Sequence, residues 1–280
     1  MSLVVNRLGL ALATAILITP AVLAQDGWST IPKSGDADPF RPGEKAGPIP
    51  RTRDGKPDLS GIWQGRTLAD WNIIRHRADY GAPGGPGIVE GDKIPYQEWA
   101  LKKRADLAKS LLNDPQSNPS TRCQLPGVPR ITYMPYAFEI VQTPAAIHAI
   151  YEYQHAWRTL RMDGSPHTSG SESYDGDSLA HWDGDTLVVD VRGLNGQTWL
   201  DMAGDFHSDQ LHVVERYTPI DSNILLYEAT LEDPKVYTAP WKLRLPLYRQ
   251  TRNFELLEYE CEEDASVSSN AAGQLSGSPQ

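Results

Sequence analysis

From Met134 to Cys261 the chain is a series of short apolar or alternating runs, each closed by a turn signal. Phe138–Gln142, Ala145–Met162, Thr186–Val191, Leu211–Thr218, Ile224–Leu231, Trp241–Tyr248 and Phe254–Cys261 read as strands. Asp163-Gly164, Asp183-Gly184, Asp221-Ser222-Asn223 and Asp233-Pro234 punctuate them. Successive strands on short turns build an antiparallel meander, a barrel or a sandwich. No periodic repeat is visible, which argues against a propeller or solenoid. The predicted class is mainly β: an antiparallel β-barrel or meander with one helix and long N-terminal loops.

The rest of the 280 residues divides by composition. Residues 1–24 read as a signal peptide: Arg7, an apolar run from Leu8 to Leu23, and small residues before a cut after Ala24. The run is short for a membrane anchor and has no basic stop beyond it. The mature protein is expected to be periplasmic or secreted and free of the membrane. Residues 25–58 are rich in Pro, Gly and charge and should form an extended arm. Asp58–Trp63 reads as the first anchored strand of a single β-rich domain spanning 59–263. Pro95 to Asn113 is the one convincing helix, with Pro95 in its first turn and Trp99, Leu107, Leu111 and Leu112 at near-helical spacing. Residues 264–280, rich in Ser, Gly and Ala, read as a disordered tail.

The net charge of −10 makes nucleic acid a poor partner. Cys123 and Cys261 are an even count in an exported chain and suggest one disulfide. No Walker loop, Rossmann fingerprint, nucleophile elbow or C-x-x-C is present, so no cofactor is expected.

The richest candidate for chemistry is the connection between Asp185–Val191 and Leu211–Tyr217. It carries Asn195, Trp199, Asp201, Asp205, His207 and Asp209, and loops held between strands commonly carry function. Trp182 and Trp199 flank it and would wall a pocket. His207, oriented by Asp201, suits acid/base work. Asp201, His207 and His212 could instead hold a divalent metal, although His-x4-His on a loop-to-strand junction is not a common zinc spacing. Glu215 falls on the apolar side of its strand. Burying it alone would be costly, and Arg158 is a candidate partner. Within Ala145–Met162, Ile147, Ala149, Tyr151, Tyr153 and Trp157 share one face, and Glu152 and Arg158 the other. His167, after a turn, could fold over a pocket mouth.

Several segments are familiar together: DGKPDLSGIW, RCQLPGVPR, YEYQHAWR, WDGDTLVVD and LHVVERY. They resemble a large group of functionally uncharacterised exported bacterial proteins, from about Pro50 to Cys261. The resemblance implies export and a single unit, and no reaction. Its strongest positions match Arg122, Cys123, Glu152, Arg158, Trp182, Asp190, Asn195, Trp199, Asp201, His207, His212, Glu215 and Arg216. Related chains often differ at His155, which is not a candidate. Gly61-Ile62-Trp63 also resembles the start of lipocalin-type barrels.

The leading expectation is an exported hydrolase or lyase acting on a small, partly apolar molecule in a barrel pocket. Glu152, Asp201, His207 and Glu215 would be the acid/base set. Arg158, Trp182, Asn195, Trp199, His212 and Arg216 would bind the substrate. The alternatives are a periplasmic small-molecule carrier without turnover, a metal-dependent enzyme, and a structural protein whose polar networks only brace long loops.

Overall fold

The computed structural model describes residues 46–78, 83–168, 170 and 172–261. The expected signal peptide, most of the N-terminal arm and the tail lie outside the described residues. Nine strands pair in chain order and close into a barrel. They are β1 Gly61–Gly65, β2 Phe138–Gln142, β3 Ala146–Tyr151, β4 Trp157–Arg161, β5 Asp177–Asp183, β6 Thr186–Arg192, β7 His212–Pro219, β8 Ile224–Glu232 and β9 Trp241–Arg249. Among the described residues two α-helices accompany them, α1 Glu98–Asn113 and α2 Arg130–Tyr133. No helix among the described residues is long and apolar enough to cross a membrane.

The mainly β barrel agrees with the sequence pattern, with one departure in pairing. β4 and β5 run parallel, joined through Leu160–Ser178 and Arg161–Leu179, while the other pairings are antiparallel. The reason is parity. An odd number of strands that alternate in direction around a ring must meet once in the same direction. A parallel pair needs a long crossover, and residues 162–176 supply it.

Three elements differ from the pattern. The run 145–162 is two strands, because the chain reverses between Tyr151 and Ala156. Gln154 and His155 take φ of 51° and 49°, a left-handed turn without the glycine or asparagine that would announce it. The reversal shifts the phase, so Ile147, Ala149 and Tyr151 face inward on β3 but Arg158 and Leu160 face inward on β4. Residues 254–261 form no strand and make one bridge, Tyr153 to Tyr259. β5 was not expected, since Ser178, His181 and Asp183 dilute its β signal.

The helix starts at Glu98, later than Pro95, whose carbonyl instead accepts from the Thr238 amide. Its buried contact is Ala100. Trp99 and Leu112, expected on the packed side, are exposed.

Inward positions on the strands make the core, including Phe138, Ile147, Leu187, Val189, Val213, Tyr227 and Leu245. Cys123 and Cys261 are joined as expected. The bridge ties the C-terminal arm 250–261 back to the turn at 119–122.

Candidate functional site

Each expected acid/base residue is buried, and each has its own partners. Glu152 sits in the β3–β4 turn. Its two oxygens accept from the Ala137 amide at 3.0 Å and the Leu257 amide at 3.0 Å, which fastens the C-terminal arm to the barrel. Glu215 points into the barrel from β7. Arg158 reaches it from β4 at 2.7 and 3.3 Å, and the Tyr227 and Tyr217 hydroxyls donate to it at 2.8 and 3.2 Å. Burial opposes the charge on Arg158, but Glu215 together with Tyr151 and Tyr217 outweighs it and holds the pKa well up. This is the pairing that the apolar position of Glu215 suggested.

Asp201 organises the 193–211 connection. Its Oδ1 accepts from the amides of Ala203 and Asp205 at 2.8 and 3.0 Å, and its Oδ2 from Ile73 at 3.0 Å. Burial, then the neighbouring Asp205, push its carboxyl well above the usual range. His207 Nδ1 lies 2.9 Å from the Ser208 carbonyl, which only an N–H can satisfy. Its Nε2 therefore accepts, from the Thr198 hydroxyl at 2.8 Å. Burial pushes the His207 pKa down, so the ring stays neutral near pH 7. No hydrogen bond or ion pair among the described residues joins any two of Glu152, Asp201, His207 and Glu215.

The other candidates scatter further. Asp201, His207 and His212 each belong to a different network, and among the described residues no three His, Cys, Asp or Glu side chains are disposed to hold a metal ion. Trp182 pairs with Leu187 at the start of β6. The connection follows Arg192, roughly 17 Å along that strand, so Trp182 does not flank it. Trp199 is buried within the connection, bridged to Phe206, and Arg130 donates to its carbonyl at 3.3 Å. Arg216 lies outside the barrel with Asp183 at 3.0 Å.

What the connection does build is a groove wall. Asp205 binds Arg104 of α1 through both oxygens, at 2.9 and 3.0 Å, and accepts from the Tyr96 hydroxyl at 2.8 Å. Gly204, at φ +87°, lets α1 pack backbone to backbone. A Cβ there would stand 2.8 Å from the Ala108 nitrogen and 2.9 Å from the Arg104 carbonyl oxygen. The docked helix holds Trp99 edge-on to Phe206 at 6.1 Å and lays the Lys103 ammonium over the Phe206 ring at 4.4 Å. Between them opens a cleft of about 650 Å³ that Asn195, Glu172 and Lys235 also line. Trp99 stays 50% exposed there.

A second cleft, about 550 Å³, adjoins the first at Asp209 and Pro234 and is bordered by Arg192, His212 and Glu232. Here a chain of titratable groups crosses the outer sheet. His167 contacts Asp177 at 3.1 Å and Asp190 at 2.8 Å, and Asp190 contacts His212 Nε2 at 2.9 Å. Burial works against the Asp190 carboxylate, but the bonds from His212 and His167 win and hold its pKa below the usual range. Arg161 grips Asp177 with two bonds, 2.8 and 2.9 Å.

Among the described residues one small void lies inside the barrel. The space lined by Phe138, Ile147, Leu160, Leu187 and Tyr217 leaves about 10 Å³ for the centre of a water molecule. A wider depression of about 980 Å³ lies by residues 249–254, where Arg249 is held by the Ser222 carbonyl at 2.6 Å and by the face of Trp63.

Sequence reasoning missed Trp99, Phe206 and Lys103 as groove residues and gave Asp177 and Asp175 no role. Trp99 and Lys103 are four residues apart on one helix face, a usable signal. Their meeting with Phe206 is purely tertiary. Comparisons with known protein families, with curated proteins and with solved structures return no match.

Proposed function

We propose that the chain is an exported small-molecule-binding protein whose ligand lies in the external groove between α1 and the 193–211 connection. The observation that carries this reading is the half-exposed Trp99 held against Phe206 beside a cleft of ligand size. An exposed indole face contributes flat apolar contact to a ring. Lys103, Lys235, Glu172 and Asp209 balance in charge around it, so the ligand is an uncharged or zwitterionic ring compound. The committed bonds of Glu152 and Glu215 favour this groove over a barrel pocket. The disulfide suits export. Native mass spectrometry on protein purified from its own periplasm tests the proposal. Wild type is expected to carry a small molecule that Trp99→Ala loses. Wild type and variant at the same unliganded mass would refute it.

An acid/base hydrolase or lyase is the second reading. The chain Asp177–His167–Asp190–His212 supports it, because it ends at the adjoining cleft. In that case His212→Asn keeps the ligand, and wild type alone changes the ligand's mass.

A further inference from the structure

The groove beside Trp99 does not end at Asp209. The cleft of about 650 Å³ along α1 and the cleft of about 550 Å³ beyond it share Asp209 and Pro234, so they form one open trough. Trp99 stands at one end, and His212 and Glu232 at the other. From Asp209 to His212 the chain carries the wall up to about 10 Å further, at about 3.3 Å for each residue.

The walls carry both signs of charge in equal number. Lys103, Lys235 and Arg192 are matched by Glu172, Asp209 and Glu232. Among the described residues these walls keep bonding capacity in hand. Lys235 spends one of its three N–H donors on Asp209, at 2.6 Å. Arg192 reaches Asp190 through Nε at 3.2 Å and His212 through one terminal nitrogen at 3.4 Å, which leaves the other terminal nitrogen over. Asn195 Oδ1 accepts from the Gln197 amide at 3.0 Å, which leaves both side-chain N–H donors over. The 162–176 crossover is fastened to the same wall. The Ser173 amide donates to the Gly193 carbonyl at 3.0 Å, and the Asn195 amide to the Ser173 carbonyl at 2.9 Å, which sets Glu172 at the rim.

Three ligand classes fit this lining poorly. A phosphate or carboxylate calls for a cluster of cations, and here anions equal them. An apolar ligand calls for a cavity that buries most of its surface, and this trough is open and polar-walled. An extended peptide adds to a free sheet edge, and β6, β7 and β8 each have a strand on both sides. A sugar ring fits. It has an apolar face for the indole and a rim of hydroxyls that each donate and accept, so carboxylates, ammonium and guanidinium groups all serve it.

We infer that the trough binds a neutral, linear oligosaccharide, with one sugar ring on the Trp99 indole and further rings running past Asp209 to Arg192 and Glu232. The inference rests on the groove reading above and adds the ligand's class and its second contact region.

Isothermal titration calorimetry on the disulfide-bonded protein tests it. The probes are cellohexaose, maltohexaose, xylohexaose and chitohexaose, each beside its disaccharide, with adenosine and indole as ring controls. At least one hexasaccharide is expected to bind about tenfold more tightly than its disaccharide. Trp99→Ala is expected to weaken both lengths by about tenfold or more, and Glu232→Ala to weaken the hexasaccharide alone by about tenfold. Both side chains are exposed, so the variants keep the fold. Adenosine or indole binding that Trp99→Ala abolishes, with every hexasaccharide silent, would overturn the sugar class and leave the groove reading standing. A hexasaccharide that binds no tighter than its disaccharide, or that ignores Glu232→Ala, would overturn the second contact region. Silence of all probes is decided by the molecule that wild type carries from its own periplasm. A mass of joined sugar units supports the inference, any other mass overturns it, and no carried molecule ends both readings.

Discussion

Asp175→Asn should stabilise the protein, and only above a definable pH. Asp175 sits in the β4–β5 crossover with one carboxylate oxygen buried and unpartnered. Burial pushes its pKa up to about 6 against the attraction of Arg158, and Glu215 adds to the rise. The unfolded chain releases this proton near the ordinary aspartate value of about 3.9. Between those two values the folded state holds the proton that the unfolded chain has lost. Stability therefore falls as pH rises through about 4 to 6 and then levels off. At about 1.4 kcal/mol for each pH unit, the ionised carboxylate costs about 3 kcal/mol at neutral pH. Asparagine keeps the shape and never ionises. Urea unfolding with the disulfide intact is the assay. The variant is expected to exceed wild type by about 3 kcal/mol at roughly pH 7.5, or about 6–12 °C in Tm, and to match it at roughly pH 4. A difference that does not change with pH, or a variant weaker than wild type at neutral pH, would refute the reasoning.

Breaking the buried pair by Arg158→Met or Glu215→Leu alone is expected to cost about 3–5 kcal/mol, and the double variant less than either single one, because no charge is then left uncompensated. Additive losses in a urea double-mutant cycle would contradict that. Glu152→Ala orphans the buried Ala137 amide, at about 1–3 kcal/mol, and frees the Leu257 amide, which lies on the exposed C-terminal arm. Limited proteolysis should then cut within 250–260 before the barrel, and uniform resistance would count against the clamp. Gly204→Val meets α1 backbone at 2.8 Å from a left-handed residue. It should undock the helix, shift Trp99 emission to the red and abolish ligand retention, while far-ultraviolet circular dichroism still reports the sheet.

The barrel was legible because its signal is local: period-two burial and short turns recur strand after strand. Even the Arg158–Glu215 pair could be anticipated, since a carboxylate among Val213 and Tyr217 needs a cation. The turn at 152–155 was not legible, because Gln154 and His155 enter the left-handed region only under the pull of the hairpin they join. The partners of the loop residues were not legible for a different reason. Asp201 and His207 stand in a loop full of polar groups, as reactive residues would, yet their partners are the distant Ile73 amide, Thr198 and a neighbouring carbonyl. Which polar residue braces and which one reacts depends on contacts far away in sequence. The groove residues were hidden by the opposite error. Trp99 at helical spacing reads as core, but Gly204 brings α1 in on its Ala100 side and leaves the indole outside.

The most direct test of the proposed groove site is hydrogen–deuterium exchange, with and without a concentrated small-molecule extract of the native periplasm. Protection confined to residues 97–103, 195–209 and 234–236 is the expected result. Protection of β3, β4 and β7 around Tyr151, Arg158 and Glu215, with the groove unchanged, would return the ligand to the lumen and contradict this account.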